Sequence, residues 1–169
     1  MSQSHSSSVW VVAFSHDGTH VISVSGDHLV KIWNAYMGEV ELVLKGHSDW
    51  VQSVAFSCDG TWVALGSDDK SVHIWDGVTG KIVWICKGNS DWVSSIAFLP
   101  DRTCVVSGSA DKMVWIWNVM TGRTKQSLQF WKEVTKANWV LNGHFSEVGS
   151  VAFSPDGTCI VSGLNDKTV

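Results

Sequence analysis

From end to end, the chain alternates short apolar runs with turn signals. VQSVAFS at 51–57 is followed by CDG, TWVALGS by DDK and SVHIWD by GVTG, and KIVWICKG closes the stretch at 88. Runs of about five to seven residues rich in Val, Ile and Trp, each ended by Gly or Asp, read as strands joined by tight turns. No segment holds an apolar period of 3.6 long enough for a helix. Asp17-Gly18, Asp59-Gly60 and Asp156-Gly157 supply the residue types that turns with positive φ demand. Asp101-Arg102 lacks the glycine, which predicts a turn of another type or a longer one. The pattern therefore predicts an all-β fold.

The four-strand pattern also repeats. Phe14, Phe56 and Phe98 are 42 residues apart, and so are Trp33, Trp75 and Trp117, and Asp17, Asp59 and Asp101. Gly46 and Gly88 keep the same step, and HSDWV at 47–51 and NSDWV at 89–93 are one column of it. A fixed period of this size marks an architecture in which each unit buries its apolar face on its neighbours. After Trp117 the step lengthens to 55: Gly143-His144 and Ala152-Phe153 each arrive 13 residues late. Removing Phe130–Asn142 (FWKEVTKANWVLN) restores the period. A second placement works nearly as well, because EVTKANWVLNGH resembles AYMGEVELVLKGH at 35–47.

Composition narrows the function classes. Hydrophobic residues make up 44% and charged residues 17% of the chain, which is globular rather than disordered. A net charge of −4 argues against nucleic acid or an anionic membrane as the main partner. The N-terminus MSQSHSSS has neither a basic start nor an apolar core, so it is not read as a signal peptide. No apolar run approaches the ~20 residues that span a bilayer. Cys58, Cys86, Cys104 and Cys159 form no CxxC, the seven His show no metal spacing, and SGSADK at 107–112 is not a phosphate loop. No cofactor, metal or disulfide is expected, and a cytoplasmic or nuclear setting fits.

Four strands per unit, Gly-His before the first and Trp-Asp closing the third, are seen most fully in GHSDWVQSVAFSCDGTWVALGSDDKSVHIWD at 46–76. This resembles the WD40 β-propeller family. The resemblance implies four-stranded antiparallel blades, the first strand lining a central channel and the fourth outermost. It divides residues 1–169, as one partial propeller, into about three and a half blades. These lie at about 9–45, 48–87 and 90–141 (the 13-residue insertion near 130–142), with 148–169 incomplete. Positions 47–81 and 89–123 match at about half their places, which is similar to the high-identity WD arrays of fungal signalling proteins, including those joined to a NACHT domain. A seven-bladed ring would need roughly 290 residues. The ring is therefore expected to be incomplete: a fragment of a longer array or a truncated gene product, with self-association through the exposed end blades second and an open four-blade unit third.

Ser, His and Asp recur in every repeat, a composition that could make a nucleophilic triad. The resemblance implies instead a hydrogen-bonded His–Ser–Asp–Trp tetrad tying the third strand to the turn before the first; buried indole and imidazole N–H groups need such partners. The first repeat supplies His5, Ser23, Asp27 and Trp33. The second has His47, Asp69 and Trp75 with Leu65 in the Ser place, and the third has Ser107, Asp111 and Trp117 with Asn89 in the His place. The fourth has His144, Ser162 and Asp166. No catalytic residue is expected, because the same residues recur and degrade independently; the alternative is a hydrolase-type site built on His47, Asp49 and His144.

Trp50 and Trp92 precede the first strand of their repeats, each after an acid, Asp49 and Asp91; Ser8 and Glu147 hold the Trp places elsewhere. In the family that loop opens onto the face where partners dock. Asp49, Trp50, Asp91, Trp92 and Glu147 are therefore the expected partner-binding residues, suited to a basic protein or peptide. The alternative is that each Trp packs over its own loops. The strand-three column Lys31, His73 and Trp115 varies enough to read as a surface position. The function expected is a non-catalytic protein–protein interaction scaffold within a longer WD-repeat signalling protein; a fragment without independent function is the other outcome.

Overall fold

Thirteen strands and no helix make up residues 4–123 and 146–164, the parts of the chain that the computed structural model describes. Strands β1 (Val9–Phe14), β2 (His20–Ser25), β3 (Val30–Asn34) and β4 (Val40–Leu44) form one antiparallel meander. The same order recurs in β5 (Val51–Phe56), β6 (Trp62–Ser67), β7 (Ser71–Asp76) and β8 (Ile82–Lys87). A third sheet holds β9 (Val93–Phe98), β10 (Cys104–Ser109) and β11 (Val114–Asn118), and a fourth holds β12 (Val148–Phe153) and β13 (Ile160–Leu164). The insertion near 130–142, together with His144 and Asp166, lies outside the described residues.

Three apolar clusters alternate with the four sheets. The first joins Ile22, Val24 and Ile32 of sheet one to Val51, Val54, Val63 and Leu65 of sheet two. The second joins Ala64, Val72 and Ile74 to Val93, Ile96 and Val105 of sheet three. The third joins Cys104 and Val106 to Val148, Val151 and Ile160 of sheet four. A sheet enclosed on both sides has no solvent face, which is why its strands read as near-continuous apolar runs.

Each first strand carries a bulge at the same place, leaving Trp10, Gln52, Ser94 and Gly149 as the extra residues against β2, β6, β10 and β13. A bulge re-aims its side chain. Trp10 Nε1 donates to Val51 O at 3.0 Å, and Ser94 Oγ to Val148 O, so two of the four bulges reach the next sheet.

The expectation of a different turn at Asp101-Arg102 is wrong. Arg102 takes φ 65° and its N–H donates to Leu99 O at 2.8 Å, the geometry of Gly18, Gly60 and Gly157 in the sister turns. Left-handed backbone costs a non-glycine residue about 1 kcal/mol. The flanking contacts hold it there: Asp101 accepts from Thr103 N at 2.8 Å, and the Arg102 guanidinium pairs with Asp59 of sheet two.

Candidate functional site: the polar tetrads and the tryptophan row

In sheet one, β2 presents Ser23, β3 presents Trp33, the β2–β3 turn presents Asp27, and His5 enters from the segment before β1. Trp33 Nε1 donates to Ser23 Oγ at 2.7 Å, Ser23 Oγ pairs with His5 Nε2 at 2.7 Å, and His5 Nδ1 pairs with Asp27 Oδ2 at 2.9 Å. An ionised Asp27 only accepts, so a neutral imidazole carries its proton on Nδ1 and Nε2 accepts from the serine. Burial pushes the Asp27 carboxyl up, but the Ser6 N–H, the His5 ring and the Leu29 N–H outweigh it and bring the pKa to about 2. The order Ser–His–Asp is that of a nucleophilic triad, yet Ser23 is 4% exposed and its oxygen already faces the indole of Trp33. No substrate carbonyl can reach that oxygen.

The second sheet shows what one substitution does. His47 Nδ1 keeps Asp69 Oδ2 at 2.8 Å, and Ser48 N donates to the same oxygen at 3.0 Å. With Leu65 in the serine place, His47 Nε2 and Trp75 Nε1 are buried without a hydrogen bond. His73 lies flat on His47, ring centroids 3.6 Å apart and planes 16° apart. Burial, then the His47 ring, hold His73 down to about 4. Burial raises Asp69, but the His47, Ser71 and Ser48 contacts outweigh it and hold the acid well below its ordinary range.

Among the described residues, His47, Asp69 and His73 are the one group of three side chains close enough to hold a metal ion. The group does not fit one as it stands. A cation between nearly parallel rings 3.6 Å apart would sit over their faces, away from the in-plane lone pairs that ligate. Asp69 is already engaged by His47, Ser48 and Ser71.

In the third sheet Trp117 Nε1 donates to Ser107 Oγ at 2.8 Å, and Ser90 N to Asp111 Oδ2 at 2.8 Å. Both ends of the Asn89 amide are buried and unbonded. Trp115 stacks on Trp117 (5.6 Å, 15°) and gives its N–H to Asp111 at 3.3 Å, taking over the bond that a histidine makes in sheets one and two. In the fourth, Ser162 is buried on β13.

The reading of Lys31, His73 and Trp115 as a surface column is overturned. Lys31 and His73 are buried and Trp115 is partly so. Lys31 Nζ donates to Ser4 O at 2.9 Å and lies 5.7 Å from the Trp33 ring centroid. This column covers the tetrad: Lys31 lies over Trp33, His73 on His47 and Trp115 on Trp117.

Trp50 and Trp92 stand exposed before β5 and β9. Asp49 Oδ1 accepts from Trp50 N at 2.8 Å and Asp91 Oδ1 from Trp92 N at 2.9 Å, so each acid braces the tryptophan after it. Glu147 is exposed before β12. The sequence reading missed Trp10, whose ring lies 5.7 Å from that of Trp50 and makes the pair with it. Its signal was an aromatic in a column otherwise Gln52, Ser94 and Gly149. Asp49 makes no bond to His47, which uses Asp69, so the structure does not assemble the hydrolase pair His47–Asp49.

Antiparallel meanders stacked side by side, the first pinned by a buried His–Ser–Asp–Trp circuit and the next two by parts of it, are blades of a β-propeller. The chain belongs to the WD40 family: the profile described as "WD domain, G-beta repeat" matches residues 2–34, 38–76, 80–118 and 135–169. Among solved structures it is similar to that of U3-55K, at 25% identity and a TM-score of 0.76, over 88% of this chain and 43% of that one. It is similar also to the crystal structure of the RRP9 WD40 repeats, at 25% identity and a TM-score of 0.76, over 88% of this chain and 42% of that one. The chain thus spans less than half of either. A search of curated proteins found no match. WD40 repeats generally serve as non-enzymatic scaffolds for protein interaction.

Two outcomes follow from the tetrads. In an apolar core serine is normally worse than alanine. At position 65, however, a serine oxygen would face Trp75 Nε1 and His47 Nε2 as Ser23 faces Trp33 and His5. Leu65→Ser is therefore expected to exceed Leu65→Ala in urea-denaturation stability by about 1 kcal/mol; the reverse order would contradict the circuit. Secondly, the His73 pKa is depressed in the fold, so between pH 6.5 and about 4 the unfolded chain binds the extra proton. Stability contributed by neutral His73 is complete above that window and is lost as pH falls through it, up to about 3 kcal/mol. His73→Phe should flatten this part of the profile, and a variant that keeps the wild-type slope would contradict the assignment.

Proposed function

We propose that this chain is a non-catalytic scaffold whose pre-strand loops dock a basic segment of a partner protein. The observation that carries this reading is the rigid exposure of the tryptophans: Trp50 and Trp92 are 49% and 42% exposed, while Trp50 O and Trp92 O are fixed by Asp68 N at 2.9 Å and Ala110 N at 3.0 Å. Exposed indoles on an ordered backbone give large contact area at small entropic cost, the usual chemistry of interface anchors. Lys or Arg from a partner would lie on the rings, with Asp49, Asp91 and Glu147 nearby. The net charge of −4 favours the same partner.

The blades implied at about 9–45, 48–87, 90–141 and 148–169 belong, in this reading, to a longer WD-repeat signalling protein of the NACHT/WD kind, supported by the close likeness of 47–81 to 89–123. A cytoplasmic or nuclear setting suits the four free thiols. Nothing observed favours the hydrolase alternative.

The test is a peptide array scored by fluorescence polarisation. Lys/Arg-containing peptides should bind more tightly than neutral ones of equal length, more weakly as salt rises, and at least tenfold more weakly to the folded Trp50→Ala/Trp92→Ala chain. Binding unchanged in that double variant sinks the proposal.

A further inference from the structure

After each first strand the chain makes the same left-handed turn, at Gly18, Gly60, Arg102 and Gly157. Between sheets two and three Arg102 reaches back from its turn, and its guanidinium pairs with Asp59 Oδ2. Asp59 Oδ1 meanwhile takes Ser57 Oγ at 2.7 Å and Thr61 N at 3.2 Å. Between sheets one and two the acceptor is repeated and the donor is not. Asp17 Oδ1 takes Ser15 Oγ at 2.7 Å, Thr19 N at 3.0 Å and Thr19 Oγ1 at 2.8 Å, while Asp17 Oδ2 accepts nothing among the described residues. In the place of Arg102 stands Gly60, with no atom within 4 Å of where a Cβ would be.

The space beside Asp17 is open as well. A cavity of about 370 Å³ lies between sheets one and two, and Asp17 and Gly60 both line it. In the columns of His20, Leu42 and Gly60 the next sheets carry Trp62, Trp84 and Arg102. Those two tryptophans pack against the apolar cluster between sheets two and three. Smaller side chains in all three columns leave the cavity. Its walls are of two kinds. Ile32, Leu42, Phe56 and Val78 are apolar, and three acids are polar. Glu41 is paired with His20 at 2.9 Å and Asp59 with Arg102, which leaves Asp17 as the acid without a counter-charge. The Ser15 hydroxyl, then the Thr19 N–H and hydroxyl, hold the Asp17 carboxyl down to about 2, so it is ionised.

We infer that this cavity receives an arginine side chain of a partner protein, its guanidinium on Asp17 Oδ2 and its aliphatic stem along Leu42 and Phe56. The chain's own Arg102 on Asp59 is the precedent for the contact. A guanidinium suits the site better than an ammonium. It serves a carboxylate through a planar fork, and it is more weakly hydrated, so it gives up less on entering a half-enclosed space. An apolar wall suits the stem of the same residue. Further sheets at either end of the stack would lie on the outer faces of sheets one and four, not between sheets one and two. The site is independent of the tryptophan row: Asp17 follows β1, whereas Trp50 and Trp92 precede β5 and β9, at the opposite ends of the first strands.

The test is an NMR titration of the 169-residue chain with N-acetyl-arginine amide and with its citrulline analogue, which keeps the shape and lacks the charge. The arginine probe should shift the amide signals of Thr19, Gly60 and Val78 saturably, and the citrulline probe should bind at least tenfold more weakly. Asp17→Asn keeps an acceptor for the turn and removes the charge; it should weaken the arginine probe at least tenfold. Gly60→Arg supplies the guanidinium from within, in the left-handed geometry that Arg102 already adopts, and should abolish binding. Circular dichroism checks folding. Should Gly60→Arg unfold, Leu42→Trp fills the cavity with the residue of the next sheet and should have the same effect. The Trp50→Ala/Trp92→Ala chain should bind the probe as the wild type does, so this site and the tryptophan row can fail separately. The inference is overturned if no saturable shift appears at those amides, if citrulline binds as well as arginine, or if Asp17→Asn leaves binding unchanged.

Discussion

A small twisted sheet with two apolar faces cannot hide both by itself, and the rest of the molecule depends on neighbours hiding them in turn. Burial at about 25 cal/mol per Å² makes the faces between sheets the main favourable contribution to folding. The three clusters that alternate with the four sheets are that contribution made visible. Shape refines it: the glycines at 66 and 108 let a valine and a second branched side chain from the next sheet sink into the strand. At the first contact Val24 stands in the glycine column, and Val51 and Val54 still bury there. The hollow is thus one solution and not the sole route to burial.

Within each sheet the problem is polar. The indole N–H of the third strand and the imidazole before the first are enclosed by the same packing, and an enclosed donor without a partner costs about 1–3 kcal/mol. Sheet one solves this with a closed circuit. Sheet two gives up the central acceptor to Leu65, leaving two orphan nitrogens and gaining apolar packing and a histidine stack. Sheet three gives up the histidine, and Trp115 takes its bond to Asp111. The covering column on the third strand thus lies over a complete circuit in sheet one and over an incomplete one in sheets two and three. The circuit of sheet one shares the components of a hydrolytic triad and none of its access, and sheets two and three lack a component. That is the physical reason they lock strands together and do not act on substrates.

The period was enough to read the strands and the sheets, because residues 42 apart must occupy equivalent places in a stack of like units, and the resemblance to WD40 repeats supplied the tetrad columns. Three features escaped it. The left-handed Arg102 was hidden because the turn is held by Asp101, Thr103 and Asp59 rather than by a glycine. The covering column was hidden because variation was taken for exposure. Trp10 was hidden because a bulge re-aims its side chain, and nothing in the residues of β1 announces a bulge.

The most direct measurement of the central claim is a double-mutant cycle across one covered face, Gly66→Ala with Val93→Ala, by chemical denaturation. Knob-in-hollow packing predicts that Gly66→Ala alone costs about 1–3 kcal/mol by overfilling the hollow. It predicts further that trimming Val93 relieves the clash, so the pair costs less than the two changes added separately by about 1 kcal/mol. Strictly additive losses would mean that the two sheets do not hold each other through this contact.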